Sequence, residues 1–275
     1  MKKTASVLLM VLFVVLLVLI VIVAGILSYV LLTSFDAPPP RDSGDMVSIA
    51  SWNLQNFGPS KAENETLLRF YVDTLDDYDV FVIQEIHDPG GDAVQSFAVQ
   101  LPSYSYILSD PAGQGTSKEQ YAIFYKNDIE LIDAIDWTLE EQQNFERPPF
   151  EATFRVANWT FTLYTIHIKV GNVPQELSNL EILMGAPSQD TILLGDLNAD
   201  GDQYYDGILH HFLGWHWLIS SDMDTTVAKS SNAYDRIVVN DAAQDNFIGV
   251  GIMDEVDASQ SDHYLVYALF TPNET

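Results

Sequence analysis

Short apolar, β-rich runs recur along this chain, and most of them close on a polar or charged side chain. They cover Val47 to Trp52, Val80 to Gln84, Tyr121 to Tyr125, Ala152 to Val156, Thr160 to Ile168, Thr191 to Leu194, Arg236 to Val239 and Tyr264 to Phe270. Runs of this length and composition read as strands. Between them, Thr66 to Leu75, Gly91 to Gln100, Pro174 to Met184 and Tyr204 to Leu213 have helical spacing. Some of the strands are separated by a helix and others by a short turn, so the pattern predicts an α/β protein with mixed sheets.

One run is different in kind. From Val7 to Leu32 the chain is apolar and uncharged, with Ser28 and Tyr29 the polar interruptions. At ~1.5 Å per residue a helix of this length crosses a hydrocarbon core of ~30 Å. A cleaved signal peptide has a shorter apolar core and a small-residue cleavage site after it, whereas Ala24 and Gly25 lie inside this run. Residues 1–33 are therefore expected to be a cytoplasmic stub and an uncleaved transmembrane anchor in the lipid bilayer, with secretion after cleavage as the alternative. Lys2 and Lys3 precede the run and Asp36 follows it, which places the N-terminus in the cytoplasm and the rest of the chain outside the cell membrane. Residues 34–46 read as a proline-containing polar linker. Residues 47–275 are enough for one well-buried domain, expected to be monomeric.

Composition narrows the picture. The chain has no cysteine, so a domain outside the cell must be held by its core without disulfides. It carries 12 basic against 39 acidic residues, a net charge of −27. Binding to nucleic acid draws on Lys and Arg replacing counterions, so this charge balance argues against strong non-specific binding. A nuclease is not excluded, because a metal ion offsets charge at its site and salt screens the remainder.

The candidate chemistry lies where the apolar runs end: SWNLQNFG around Asn53, VFVIQE ending at Glu85, LYTIHIK around His167, ILLGDLNAD with Asp196 and Asn198, YDRIVV with Asp235, and SDHYLV with Asp262 and His263. A single Asp or His after a buried strand is ordinarily a turn residue. A series of them is harder to explain that way, since strand ends can present side chains to one rim of a sheet. Asp196, Asn198, Asp200 and Gly201 also open like a calcium loop, but Gly207 stands where that loop needs a bidentate Glu. His210, His211 and His216 have no consistent ligand spacing and read as surface or interfacial residues.

From Val47 to Phe270 these motifs, together with SKEQYAIFYK and NFERPPFEATF, resemble the endonuclease/exonuclease/phosphatase superfamily, and within it the deoxyribonuclease I branch. The resemblance implies a four-layer α/β sandwich, two mixed β-sheets flanked by helices, here preceded by the transmembrane helix. It implies a divalent cation, Mg²⁺ or Mn²⁺ with Ca²⁺ as a further candidate, at Glu85, Asn53 and Asp262. It implies catalysis by His167, His263, Asp235, Asp196 and Asn198. In that reading Asp235 pairs with His263, Glu85 lies near His167, Asn198 holds a phosphate oxygen and Asp196 orients the attacking water or a second metal. Tyr121 and Arg147 fall in motifs that line the family's substrate groove, and Arg236 is a candidate phosphate contact. The expected activity is hydrolysis of DNA phosphodiester bonds by an endonuclease. The alternatives are a phosphodiesterase or phosphatase acting on phospholipid head groups, sphingomyelinase-like, and a non-catalytic binding module on the same fold.

Overall fold

A computed structural model describes residues 46–115, 117–201, 204 and 210–271. The expected membrane span, Val7 to Leu32, lies outside the described residues, among which no helix is long and apolar enough to cross a membrane.

Among the described residues, twelve strands form two six-stranded sheets. In chain order they are β1 (Val47–Phe57), β2 (Val80–Ile86), β3 (Tyr104–Leu108), β4 (Gln120–Lys126), β5 (Glu130–Asp136), β6 (Phe150–Val156), β7 (Trp159–Thr165), β8 (Asp190–Asp196), β9 (His216–Trp217), β10 (Asp235–Val239), β11 (Phe247–Met253) and β12 (Leu265–Phe270). The first sheet runs β11-β12-β1-β2-β4-β3 and the second β5-β6-β7-β8-β10-β9. Each has one parallel pair near its middle, β1 with β2 and β7 with β8. The ladders flanking those pairs are antiparallel.

Alternation along the strands decides which sheet face meets which layer. Ile49, Val82 and Ile123 of the first sheet share a core with Phe154, Leu163, Ile192 and Ile237 of the second. The opposite face of the first sheet, with Ala50, Phe81 and Phe124, packs on helices Glu65–Leu75 and Asp92–Ala98. The outer face of the second, with Leu193 and Val238, packs on helix Val173–Met184. The layers are thus helix, sheet, sheet, helix.

Local chemistry starts and stops the helices. The Asn64 side chain accepts the Leu67 N–H and caps helix Glu65–Leu75, whose Leu68, Tyr71, Val72 and Leu75 form one buried stripe. Pro174 opens helix Val173–Met184, and Gly185, at φ +61°, follows its end.

Two expectations change. Tyr204 and residues 210–213 are not helical, and residues 205–209 between them lie outside the described residues. Phe212 has φ +52°, incompatible with a continuing helix. Tyr204 and Phe212 are nevertheless buried in the layer under Val173–Met184. Strands β3, β5, β9 and β11 have no counterpart in the sequence reading. All four are edge strands; β3, β5 and β11 have mostly half-exposed or exposed side chains and β9 is two residues long, so none shows a clean apolar run.

Candidate active site

The topology sends the chemistry to one rim. In each sheet the central parallel strands point their carboxyl ends the same way, and antiparallel β10 and β12 begin where β8 and β1 end. Register pairing sets Asp235, the first residue of β10, opposite Asp196, the last of β8. His263 precedes β12, which runs antiparallel to β1, the strand carrying Asn53.

Local irregularities turn the side chains into the cleft. The β1/β2 ladder breaks register between Asn53 and Phe57, and the β2/β4 ladder between Ile83 and Ile86. Such breaks re-aim side chains at rims and active sites. Within them Glu85 takes φ +57°, and Asn198, past β8, takes φ +49°. Left-handed backbone at a non-glycine residue costs on the order of 1–3 kcal/mol, and here it falls on two site residues.

Two carboxylate–imidazole pairs meet at a third carboxylate. His263 Nδ1 lies 2.8 Å from Asp235 Oδ2, and His167 Nδ1 lies 2.8 Å from Glu119 Oε2. Both rings turn Nε2 toward Asp196 Oδ2, at 3.3 Å from His167 and 3.6 Å from His263. Asn53 donates its amide N–H groups to the same Asp196 oxygen at 3.1 Å and to Glu85 Oε1 at 2.9 Å. Asp196, Asp235 and both imidazoles are buried.

Electrostatics follows this wiring. Burial works against charge on Asp196, yet His263, His167 and the Asn53 amide outweigh it and hold the carboxyl below the ordinary range. At Asp235 burial wins, raising the carboxyl above its ordinary value even with His263 attached. Burial opposes charge on His263 too, but Asp235 and Asp196 dominate and push its imidazole up to about 10. His263 is therefore the group of the pair that holds the proton.

The first sheet holds the His263 loop. Ser261 donates its hydroxyl to the Asn53 carbonyl at 2.6 Å, and the His263 N–H donates to the Ser261 hydroxyl. Trp52 Nε1 donates to the His263 carbonyl, and Lys61 Nζ bridges the carbonyls of Leu54 and Gln260 at 2.8 Å each. Burial lowers the Lys61 ammonium below its ordinary value, and the carboxylates of Asp262 and Glu85 oppose that shift.

Asn53, Glu85, His167, Asp196, Asn198, Asp235, Asp262 and His263 converge, but several stand differently from expectation. The partner of His167 is Glu119, not Glu85, whose oxygens are taken by Asn53 and the Asn56 N–H. Asn53 turns its nitrogen to the carboxylates, and its oxygen accepts the Gln55 N–H, because an N–H group between two anions is favourable where an oxygen is not. Asn198 donates to the Ile168 carbonyl, and its own N–H donates to Asp196 Oδ1. Asp262 is half exposed, 3.8 Å from His263 Nε2.

The expected substrate contacts are support residues. Tyr121 is buried, and its hydroxyl accepts the His167 N–H and donates to the Arg147 carbonyl. Arg147 donates to the His167 carbonyl and to Glu119 Oε1, so it clamps the His167 strand end. Arg236 is buried behind Asp235, donating to the carbonyls of Ile219 and Ala199 and to the Ser221 hydroxyl, and it cannot reach a phosphate. The sequence reading missed Glu119, although it precedes Tyr121 in SKEQYAIFYK. Among the other histidines, His211 meets Ser178 and Tyr204, and His216 meets Asp241.

Glu85 and Asp262 carry hard carboxylate oxygens, the ligand type that Mg²⁺ takes while keeping several waters, and the Glu85 oxygens also accept the Asn53 amide and the Asn56 N–H. Asp196, Asp235 and His263 also bring ligand atoms within 4.8 Å of one another. Those atoms are engaged by the two imidazoles and the Asn53 amide.

The sequence pattern described as the endonuclease/exonuclease/phosphatase family matches residues 50–263. Deoxyribonuclease-1 of Gallus gallus is 29% identical over 213 residues, 69% of this chain and 76% of that protein. Deoxyribonuclease-1 of Homo sapiens is 29% identical over 256 residues, 80% of this chain and 90% of that one. A humanized TDP2 from D. rerio shares the fold with a TM-score of 0.63 at 17% identity, over 83% of this chain and 99% of that chain.

Proposed function

The chain belongs to the endonuclease/exonuclease/phosphatase family, on its deoxyribonuclease I-like branch, and as a phosphodiesterase of that kind we propose that it is a divalent-metal-dependent endonuclease acting on DNA. The observation that carries this is the double pair Glu119–His167 and Asp235–His263 facing Asp196. In-line hydrolysis of a phosphodiester needs a proton taken from the attacking water and a proton given to the leaving oxygen. Two imidazoles, each fixed at Nδ1 by a carboxylate and turned at Nε2 toward Asp196, supply both. Asp196 orients the two rings and the water between them. The second amide N–H of Asn198, beyond the one given to Ile168, is available to a phosphate oxygen.

Glu85 and Asp262 are the residues that would hold the cation, with Asn53 fixing Glu85. When bound, the cation would supply charge stabilisation for the phosphorane and lessen the repulsion between an acidic domain and a polyanion. The apolar segment Val7 to Leu32 and the lysines before it support a tether with the domain outside the membrane.

The test is plasmid nicking by the full chain with Mg²⁺, Mn²⁺, Ca²⁺ or chelator, beside release of a phospholipid head group. Metal-dependent nicking is expected, without head-group release. Head-group cleavage with intact plasmid would overturn the DNA reading.

A further inference from the structure

The cleft is not the only concave region near these residues. Two neighbouring cavities of about 360 and 380 Å³, both lined by Gln114 and Glu146, make a two-part trough. Its lining is joined to the site through the chain: Lys118 precedes Glu119, Glu146 precedes Arg147, and Lys169 lies just beyond His167.

The lining is unusual for this molecule. In a chain of net charge −27, it presents Lys118 and Lys169 with the side-chain amides of Gln114, Gln143, Asn144 and Asn172. Its two acids are already occupied. Glu146 accepts Lys169 Nζ at 2.7 Å and the Gln114 N–H at 2.8 Å, and Lys169 holds its carboxyl below the ordinary range. Glu176 is fully buried and accepts the N–H groups of Glu146 and Lys169. Most other basic side chains in the described residues are spent elsewhere: Arg69 on Asp73, Lys126 on Asp79, Arg155 on Glu130, and Arg236 inside the core.

A polyanion can settle on an acidic protein only where the local field is not repulsive and donors are open. An ammonium has three N–H donors. Lys169 spends one on Glu146, and Lys118 spends one on the Gly113 carbonyl, so both retain donors. Lysines, side-chain amides and backbone N–H groups are the usual contacts to a nucleic-acid backbone.

We propose that the Lys118/Lys169 trough is a subsite for the sugar–phosphate backbone of a DNA strand, holding the stretch that flanks the phosphate in the cleft. The assignment rests on the nuclease reading and adds the path of the substrate to it. Neither lysine takes part in the chemistry, so their loss should weaken the grip on long DNA and leave the hydrolytic step alone.

The experiment uses the full chain in detergent, as wild type, Lys118→Met, Lys169→Met and the double variant. Binding of a fluorescent duplex is read by anisotropy in Ca²⁺ across a salt series. Cleavage by Mg²⁺-loaded protein is read on the same duplex and on a dinucleotide too short to leave the cleft. The double variant is expected to bind the duplex about ten times more weakly, with the salt slope of log affinity shallower by about 0.9 for each phosphate no longer neutralised. Its KM on the duplex should rise with kcat intact, and its dinucleotide rate should match wild type. Unchanged duplex binding and slope, or equal losses on both substrates, overturn the subsite while leaving the nuclease reading in place. A wild type that binds duplex through the lysines but cleaves neither substrate defeats the nuclease reading alone. Absence of wild-type duplex binding defeats both.

Discussion

Glu119 holds the His167 ring by a 2.8 Å contact between Oε2 and Nδ1, while its other oxygen accepts Arg147 at 3.0 Å. The carboxylate fixes the tautomer and angle of the ring, so Nε2 faces Asp196. Glu119→Gln keeps the shape but can donate where His167 needs an acceptor. Turnover on DNA is expected to fall by about 10²–10⁴-fold, the range for disabling one acid–base group. Steady-state nicking checks this, and near-normal kcat would remove Glu119 from the machinery.

The same residue makes stability depend on acid. Burial opposes charge on Glu119, but His167 and Arg147 outweigh it, and the folded carboxyl sits below its ordinary value. A depressed carboxyl stabilises the fold above its unfolded pKa, and that contribution is lost as pH falls through the lower folded value. Chemical denaturation from neutral into acid should therefore show a shallower decline for Glu119→Gln than for wild type. Parallel curves would mean the cluster adds no pH-dependent stability.

Proton handling and cation holding are expected to separate by mutation. His263→Ala removes a ring held by Asp235 and should lower turnover by roughly 10²–10⁴-fold with its Mg²⁺ dependence unchanged. Glu85→Ala should shift the Mg²⁺ titration to higher concentration and recover part of its activity there. Asp196→Ala should be inactive at every concentration. Nicking measured against Mg²⁺ for the three variants decides, and rescue of His263→Ala by added metal would merge the two roles.

The convergence of the site was legible in the sequence because its residues flank apolar runs, Glu85 and Asp196 at the end of theirs and Asp235 and His263 at the start, and a run buried on both faces leaves few alternatives to a central strand. Asp235 facing His263 followed from the resemblance of two motifs. Glu119 was obscure for a physical reason: it stands at an isolated bridge just before β4, and in a chain with 39 acidic residues one more Glu carries no signal. Arg236 was expected at a phosphate because an arginine beside Asp235, the partner of His263, looks like a phosphate ligand. Only the packing of loops over β10 shows that its donors go to carbonyls. The edge strands were lost with their half-exposed faces.

Gly195 lets β7 and β8 approach where His167 leaves the sheet. Its φ is +140°, and an added Cβ would lie 2.2 Å from the Ile166 carbonyl oxygen, a backbone atom next to His167. Gly195→Ala is expected to cost more than about 2 kcal/mol, combining strained φ with a backbone clash. Gly185→Ala, at φ +61° with nothing within 4 Å of the new Cβ, should be milder. Denaturant midpoints at constant slope compare the two, and equal losses would show that the approach at Ile166 is not tight.

Salt should act in opposite directions on the fold and on substrate binding. With a net charge of −27, the compact state carries self-repulsion, which salt screens over a Debye length that falls from ~10 Å at 0.1 M to ~3 Å at 1 M. Thermal unfolding is therefore expected to move upward as monovalent salt rises. Affinity for DNA should fall over the same range, because salt opposes the counterion release that the few lysines provide. Activity at a temperature near the low-salt unfolding midpoint should then pass through a maximum, first rising as the fold is secured and then falling as binding weakens. Melting curves and nicking rates recorded across one salt series test both limbs. A melting temperature that stays flat or drops would show that the acidic surface exerts no net repulsion on the folded domain, and the rising limb should vanish with it.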